Sequence, residues 1–275
     1  MRVDAGEVVG IAGPNGAGKS TLIAMLLGLI PPSDGVVRID GIAPRAFVER
    51  EGIAYLPELM NLPLEWRTAE SLDRLATLGG IAPATRAVAR ERVIEAAGIA
   101  EHRSKRLKQL SKGNLQRLGL AAALLSERRV VVFDEPTHGL DPMWTARFRD
   151  IVGGLRRSDR AMVIASHNLD ELERLCDRVA ILDKGKVQQV VTVRGVDGTS
   201  TVSVRRWRIR VVSGAEVVAG HLPGAKVDGE IVECECDLPA MNRALAAAIA
   251  GGALVGAVAP VESSLEEAFR VSVTR

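Results

Sequence analysis

The sequence predicts an α/β fold: a parallel sheet covered by helices on both faces, followed by a smaller α+β unit. Three features point there. Short apolar runs bounded by turn residues alternate with longer helix-forming stretches from Val8 to Leu182. The first of these runs opens directly into a glycine-rich turn, Gly13 to Gly18. From Val190 to Thr201 the chain shifts to Gly, Thr and Ser without a long apolar run, and strands of alternating character follow.

In chain order, Val8-Val9-Gly10-Ile11-Ala12 reads as a buried parallel strand. Beyond the glycine turn, Ser20 to Leu29 reads as an apolar helix, closed near Gly28 and Pro31-Pro32. A helical, charged section runs from about Thr68 to His102, with good helix formers from Arg86 to Ala97 and punctuation at Gly79-Gly80 and Pro83. A helix from Asn114 to Leu125 then precedes the β-branched strand Val130-Val131-Val132-Phe133. The helix after Pro142 leads to the strand Met162-Val163-Ile164-Ala165, and Val179-Ala180-Ile181-Leu182 is a further strand closed by the turn Lys184-Gly185. In the last part, Trp207 to Val211 and Ile231 to Cys236 alternate as half-buried strands do. A helix from Pro239 to Ala250 follows, and Ser263 with Glu266 three residues on is a capping box for a final short helix. The expected domains are 1–192, with a helical subdomain at about 59–125, and 203–275.

Composition narrows the function. Of 275 residues, 47% are hydrophobic and 25% charged, which is globular and not disordered. Lys plus Arg number 36 and Asp plus Glu 34, a net charge of +2, which argues against a chain built to neutralise nucleic-acid phosphates. Aromatics at 3% argue against base stacking as its main trade. Cys176, Cys234 and Cys236 are too few for a disulfide framework or a zinc site, so a reducing cytosol is the expected compartment. Cys234 and Cys236 share a strand face with Val232 and read as small core residues. The uncharged stretch Ala244 to Ala259 is shorter than a spanning helix and is interrupted by Gly251-Gly252; it reads as a helix end, a turn and a strand. Arg128-Arg129 and Arg156-Arg157 read as solvated surface charge.

The chemistry begins with Gly13-Pro14-Asn15-Gly16-Ala17-Gly18-Lys19-Ser20, which fits G-x-x-x-x-G-K-[ST] at every specified position. Glycines let backbone N–H groups turn inward around a polyphosphate, and the helix N-terminus adds its partial positive charge. Lys19 is a mobile point charge for the outer phosphates, and the Ser20 hydroxyl can ligate Mg²⁺. The strand ending Phe133-Asp134-Glu135 supplies two carboxylates at the sheet edge where α/β folds bind ligands. Asp134 there would hold Mg²⁺ through a bound water, leaving Glu135 to orient and polarise the attacking water.

Further along, Leu110-Ser111-Lys112-Gly113-Asn114-Leu115-Gln116-Arg117 resembles the signature motif of ABC-transporter ATPase subunits. Pro136-Thr137-His138-Gly139-Leu140-Asp141-Pro142 resembles that family's D-loop, Ser166-His167 its switch histidine, and Tyr55-Leu56-Pro57-Glu58 stands where it has the Q-loop. With the phosphate loop and the paired carboxylates, the motifs fall in the family's order from Gly6 to about Val190.

The resemblance implies a P-loop NTPase fold of the ABC ATPase type and an ATP sandwich, in which two copies each complete the other's site. It implies nucleotide binding by Gly13 to Ser20 and Thr21, Mg²⁺ ligation by Ser20, Asp134 and Glu58, and catalysis by Glu135 and His167. Ser111, Lys112, Gly113 and Asn114 would act on the facing subunit, with Asp141 in the D-loop. ATP and Mg²⁺ are the implied cofactors. The implied partners are a second copy and separate integral membrane subunits docked on the segment from about Glu58 to His102, with this chain cytoplasmic and peripheral on the inner face of the cell membrane. No nucleic acid is expected.

The tail Ser263-Ser264-Leu265-Glu266-Glu267-Ala268-Phe269 resembles exporter-type subunits. Against the commonest family pattern, Lys112 replaces a glycine, Asn114 a glutamine, and Glu58 the Q-loop glutamine. The family's adenine-stacking aromatic lies on strands ahead of the phosphate loop. Two readings stay open there, a truncated start or a weaker grip on the base. A soluble ABC-class ATPase acting on ribosomes or DNA, and a nucleotide sensor with little hydrolysis, are the alternatives.

Overall fold

The computed structural model describes residues 1–193, 205–261 and 264–273, in two compact units, Met1–Val193 and Arg194–Thr274. In the first unit the chain runs β1 (Val8–Ala12), α1 (Lys19–Leu26), α2 (Pro44–Arg50), β2 (Ala54–Leu56), α3 (Thr68–Leu78), α4 (Pro83–Ala96) and α5 (Lys112–Ala123). It continues with β3 (Val130–Asp134), α6 (Pro142–Leu155), β4 (Ala161–Ser166), α7 (Leu169–Leu175), β5 (Arg178–Asp183) and β6 (Lys186–Thr192).

The sheet order is β2-β3-β4-β1-β5-β6. Five strands are parallel, but β6 pairs antiparallel with β5, so the sheet is mixed and not purely parallel as expected. The cause is the turn between them. Lys184 and Gly185 both take positive φ, 49° and 75°, the two-residue geometry whose twist suits a tight hairpin. The sequence shows that turn, yet β6 is almost wholly exposed and carries no apolar alternation to betray it.

Alternation along the strands sends neighbouring side chains to opposite faces. Ile11, Val132 and Val163 pack with Ile23 of α1 on one face. On the other, Phe133 meets Phe148 of α6 edge-on with ring centroids 5.5 Å apart, and Gly10 leaves room for Leu172 and Cys176 beside α7. The helical section builds a core of its own from Leu72 and Ala76 of α3, Val93 and Ile94 of α4, and Leu118 and Ala121 of α5. Helix α5 lies close on β2: a Cβ at Gly119 would sit 2.7 Å from Leu56 Cδ1 and 2.8 Å from Met60 Cγ. That approach fixes both ends of the loop that carries Glu58.

The second unit runs β7 (Arg205–Ser213), α8 (Ala215–Gly220), β8 (Lys226–Asp228), β9 (Ile231–Cys236), α9 (Leu238–Ala250), β10 (Leu254–Pro260) and α10 (Ser264–Val273). Its antiparallel sheet, in the order β10-β7-β9-β8, makes a split βαβ arrangement. Trp207, Ile209, Val211, Val232 and Cys234 meet Val218, Met241 and Ala248 in the core, with Cys236 partly packed against it. Burial pushes the Cys234 thiol up to about 12. The alternate residues on β7 and β9 form exposed cross-strand pairs, Arg206 with Glu235 and Arg208 with Glu233. The stretch from Ala244 to Ala259 is a helix end, a turn at Gly251-Gly252 and a strand. Ser263, half of the expected capping box, lies outside the described residues.

Candidate functional site

The phosphate loop leaves β1 under tight constraint. A Cβ at Gly13 would lie 2.5 Å from Leu182 O and 2.9 Å from Ala17 Cβ, so a side chain there cannot be housed without moving the backbone. Gly18, at φ 103°, is the N-cap of α1, and no side chain caps that helix. The N–H groups of its first turn are therefore left for another acceptor. Lys19 is buried, and its Nζ donates to Gly13 O at 2.8 Å and Pro14 O at 3.4 Å while lying 3.5 Å from Glu135 Oε1.

Strand β3 delivers the carboxylates. Asp134 is 4% exposed; its Oδ2 accepts from Ser20 Oγ at 3.3 Å, and its Oδ1 is buried with no partner. Burial pushes its carboxyl pKa up, and the nearby Glu135 and Glu58 charges push the same way. An orphaned carboxylate oxygen beside a hydroxyl is a hard-oxygen set of the kind that suits Mg²⁺.

A raised carboxyl pKa has a definite sign in stability. The folded state binds the extra proton, so the stabilisation is present below the unfolded pKa and is lost as pH rises through the folded one. Above that folded pKa the ionised Asp134 therefore costs stability, and Asp134→Asn is expected to raise the melting temperature of the nucleotide-free protein. Calorimetric melts at pH 7 check this; an unchanged or lower melting temperature contradicts it.

Glu135 is held in an unusual backbone, φ 46°, with its N–H bonded to Ala165 O at 2.9 Å. Its buried carboxylate accepts from the His167 N–H at 3.0 Å and from Ser166 Oγ at 3.2 Å, and His167 Nδ1 lies 2.8 Å from it. A carboxylate only accepts, so Nδ1 carries the proton in that contact and Nε2 is left for another group. Behind the loop, Gln116 Nε2 of α5 donates to the carbonyls of Glu135 and Pro136, at 3.3 Å each.

These groups line one cleft of about 450 Å³. It gathers Pro14, Asn15, Gly16, Gly18, Lys19, Ser20 and Thr21 of the phosphate loop with Asp134, Glu135, His167 and Glu58. Gly13 and Ala17 support the loop from beneath; the Ala17 carbonyl accepts from the Gly185 N–H at 2.9 Å. The signature residues stand apart from this lining. Ser111 caps α5, accepting from the Asn114 N–H at 3.3 Å. The Asn114 side chain is engaged by His102 Nε2 and Arg117 Nη1, each 2.8 Å away, and Gly113 abuts Gly139. Asp141 caps α6 through the Trp144 N–H at 2.9 Å.

Three residues escaped the sequence reading. Ser166 and Gln116 hold Glu135 and its loop, and His138 lines the cleft. All three lie inside recognised motifs, so their position was visible, but their contacts depend on tertiary packing.

The comparisons agree on kinship. The sequence model of the family described as ABC transporter matches residues 1–138. An uncharacterized ABC transporter ATP-binding protein of Bacillus subtilis, YdbJ, is 31% identical over the whole of this chain and 89% of its own length. The methionine import ATP-binding protein MetN of Caulobacter vibrioides is 37% identical, over 82% of this chain and 70% of its own length. A Nod factor export ATP-binding protein I of Mesorhizobium japonicum is 34% identical, over 67% of this chain and 55% of its own length. Among solved structures, a dimeric post-hydrolysis ATP-binding cassette bound to ADP and Pi is similar with a TM-score of 0.65 and 25% identity, over 71% of this chain and 89% of that one.

Proposed function

The chain belongs to the ABC transporter family of ATP-binding proteins, and on that premise we propose that it hydrolyses ATP to power export through separate membrane subunits. The observation that supports hydrolysis most strongly is the buried Glu135 carboxylate, clamped by the His167 N–H, His167 Nδ1 and Ser166 Oγ beside the Lys19 ammonium. Those donors fix its direction. A base that cannot rotate keeps its free lone pairs on one spot, where an attacking water loses its proton as it meets the γ-phosphorus.

Lys19 and the α1 N-terminus receive the growing charge on the phosphate oxygens. Ser20, Asp134 and Glu58 would hold Mg²⁺, which would supply neutralising charge for the phosphates. The residues Gly13 to Thr21 bind the nucleotide, and His167 Nε2 faces the γ-phosphate and the water.

Two copies act together. Ser111, Lys112, Gly113 and Asn114 stand outside the cleft of their own chain, as expected of groups that complete the facing subunit's site, with Asp141 at that junction. The dimeric assembly of a cassette similar to this chain supports the same reading. ATP favours the closed pair and its hydrolysis the open one, through their different affinities for nucleotide. We assign 1–192 to the ATPase domain, with a helical subdomain at about 59–125 and the membrane subunits received on the segment from about Glu58 to His102, and 203–275 to a separate α+β domain. No helix among the described residues is long and apolar enough to cross a membrane, so attachment to the inner face would be peripheral. Relatives include proteins named for import and for export. The exporter-like tail from Ser263 to Phe269 favours export.

Phosphate release from Mg²⁺-ATP by the purified chain tests the enzyme reading. Turnover above a Lys19→Ala control is expected; nucleotide binding without turnover would mark a sensor instead.

A further inference from the structure

One face of α5 lies along the loop that runs from β3 into α6. Gly113, Gln116 and Arg117 are spaced three and four residues apart, so they share that face. Gly113 abuts Gly139 O, and Gln116 Nε2 bonds the carbonyls of Glu135 and Pro136. Arg117 reaches furthest along it. Its guanidinium carbon stands 3.6 Å from the centre of the Trp144 ring, where α6 begins. That is close contact for a cation on an indole face.

The pair is closed in by the chain that leaves α4. Trp144 is 9% exposed, and a Cβ at Gly98, which has φ 56°, would lie 2.5 Å from Trp144 Cη2 and 2.6 Å from its Cζ2. Only a glycine leaves room there for the indole. Arg117 Nε donates to Ala97 O at 3.0 Å, Nη2 to Gly98 O, and Nη1 to Asn114 Oδ1 at 2.8 Å. All three nitrogens of one planar fork are therefore spent on acceptors while its face covers the indole, a combination that a lysine cannot supply.

Each end of this stack is tied to a motif. The Trp144 N–H donates to Asp141 Oδ1 at 2.9 Å, and the Asn114 N–H donates to Ser111 Oγ at 3.3 Å. The Asn114 amide is held by Arg117 and by His102 Nε2, 2.8 Å away, and is thus turned into its own chain. What the start of α5 can offer across an interface is then its backbone N–H groups and the Ser111 hydroxyl. We propose that Arg117 is a positioning residue for the facing subunit's site: stacked on Trp144, it holds Asn114, and with it the first turn of α5, in register with the D-loop, so that both meet the incoming nucleotide as one rigid group. The proposal rests on the two-copy reading above. Groups set in advance lose less conformational freedom when the pair closes. Neither Arg117 nor Trp144 lines the cleft of its own chain, so the effect falls on pairing and not on the first grip on nucleotide.

The test separates those two steps in the full chain. Each variant is placed in the Glu135→Gln background, where ATP stays uncleaved. The dissociation constant for Mg²⁺-ATP is measured at a protein concentration too low for pairing, and that of the dimer by sedimentation at saturating Mg²⁺-ATP. Arg117→Met is expected to change the first less than about twofold and to weaken the dimer about tenfold, through the loss of one buried cation–π contact with its hydrogen bonds. Trp144→Ala is expected to act alike, and Trp144→Phe, which keeps an aromatic face, to stay within about threefold of the Glu135→Gln chain. Because the two side chains act as one unit, Arg117→Met with Trp144→Ala is expected to cost no more than about threefold beyond either alone.

The proposal is overturned by an unchanged dimer constant in Arg117→Met, by an equal weakening of ATP binding and of pairing, or by a double variant whose loss is the product of the single ones. Equal weakening is what a merely structural role would give. Should Arg117→Met fail to fold, Arg117→Lys keeps the charge and the stem but not the fork, and the same pair of measurements is expected to show weaker pairing with nucleotide binding unchanged. A Glu135→Gln chain that stays monomeric with its native Arg117 would sink the two-copy reading itself, a distinct outcome from a pair that forms without regard to this residue.

Discussion

The chain carrying Glu135→Gln binds Mg²⁺-ATP, hydrolyses it some 10²–10⁴ times more slowly than the native chain, and accumulates as a nucleotide-dependent dimer: this is the expected result if Glu135 is the general base. The geometry says why binding survives. Glutamine is nearly isosteric, its one carbonyl oxygen can keep the bond from either the His167 N–H or Ser166 Oγ, which reach different oxygens of Glu135, and Lys19 keeps its bonds to Gly13 O and Pro14 O. What disappears is the basicity, with one negative charge among three carboxylates. Removing that charge lowers the repulsion felt by a triphosphate, so affinity is expected to hold or rise. The dimer follows because ATP stays uncleaved between the two copies, and the closed pair is left only through hydrolysis. Single-turnover phosphate release measures the first effect and size-exclusion chromatography with Mg²⁺-ATP the second. A monomer under those conditions, or a loss of rate below tenfold, would remove Glu135 from the role.

Much of this site was legible because its chemistry is local. The loop from Gly13 to Ser20 and the carboxylates after β3 are each a few residues long, and each lies at the end of a buried apolar strand. What the sequence hid is non-local or unpatterned. Strand β2 has only three residues, Ala54 to Leu56, too few for any period to show, and it exists because β3 pairs with it in register. Strand β6 hides its pairing in exposed polar and apolar residues without alternation. In the second unit β8, a three-residue exposed strand, is defined by its partner β9 and by nothing in its own composition. Within the site, the bonds of Gln116 to the carbonyls of Glu135 and Pro136 join residues on different elements, as does the contact of Lys112 Nζ with His138 Nε2. Single residues with those partners look like ordinary surface or helix positions until the fold brings them together.

Lys19→Ala discriminates between the parts of a nucleotide. The ammonium is buried and its donors are held by Gly13 O and Pro14 O on the rim of the cradle, so it faces whatever anion fills the loop. A charge-assisted hydrogen bond to a phosphate contributes about 1.5–3 kcal/mol. Its loss corresponds to a roughly ten- to hundredfold weaker dissociation constant for ATP. Adenosine has no phosphate to lose, so its affinity should change less than about twofold. ADP should fall between the two, since it retains one of the outer phosphates.

A second consequence separates electrostatics from damage to the fold. With Lys19 gone, Glu135 loses its only cation of opposite charge at 3.5 Å among the described contacts. The buried carboxylate is then left without its cation, and the nucleotide-free variant is expected to lose stability. In the combined variant Lys19→Ala with Glu135→Gln that loss should be largely recovered while ATP binding stays weak, because the phosphate contact and the carboxylate contact belong to different partners of the same ammonium. Calorimetric titration with ATP, ADP and adenosine, alongside melts of the nucleotide-free chains, measures both effects. Equal weakening of all three ligands would mean that Lys19 shapes the loop and does not bind the phosphates.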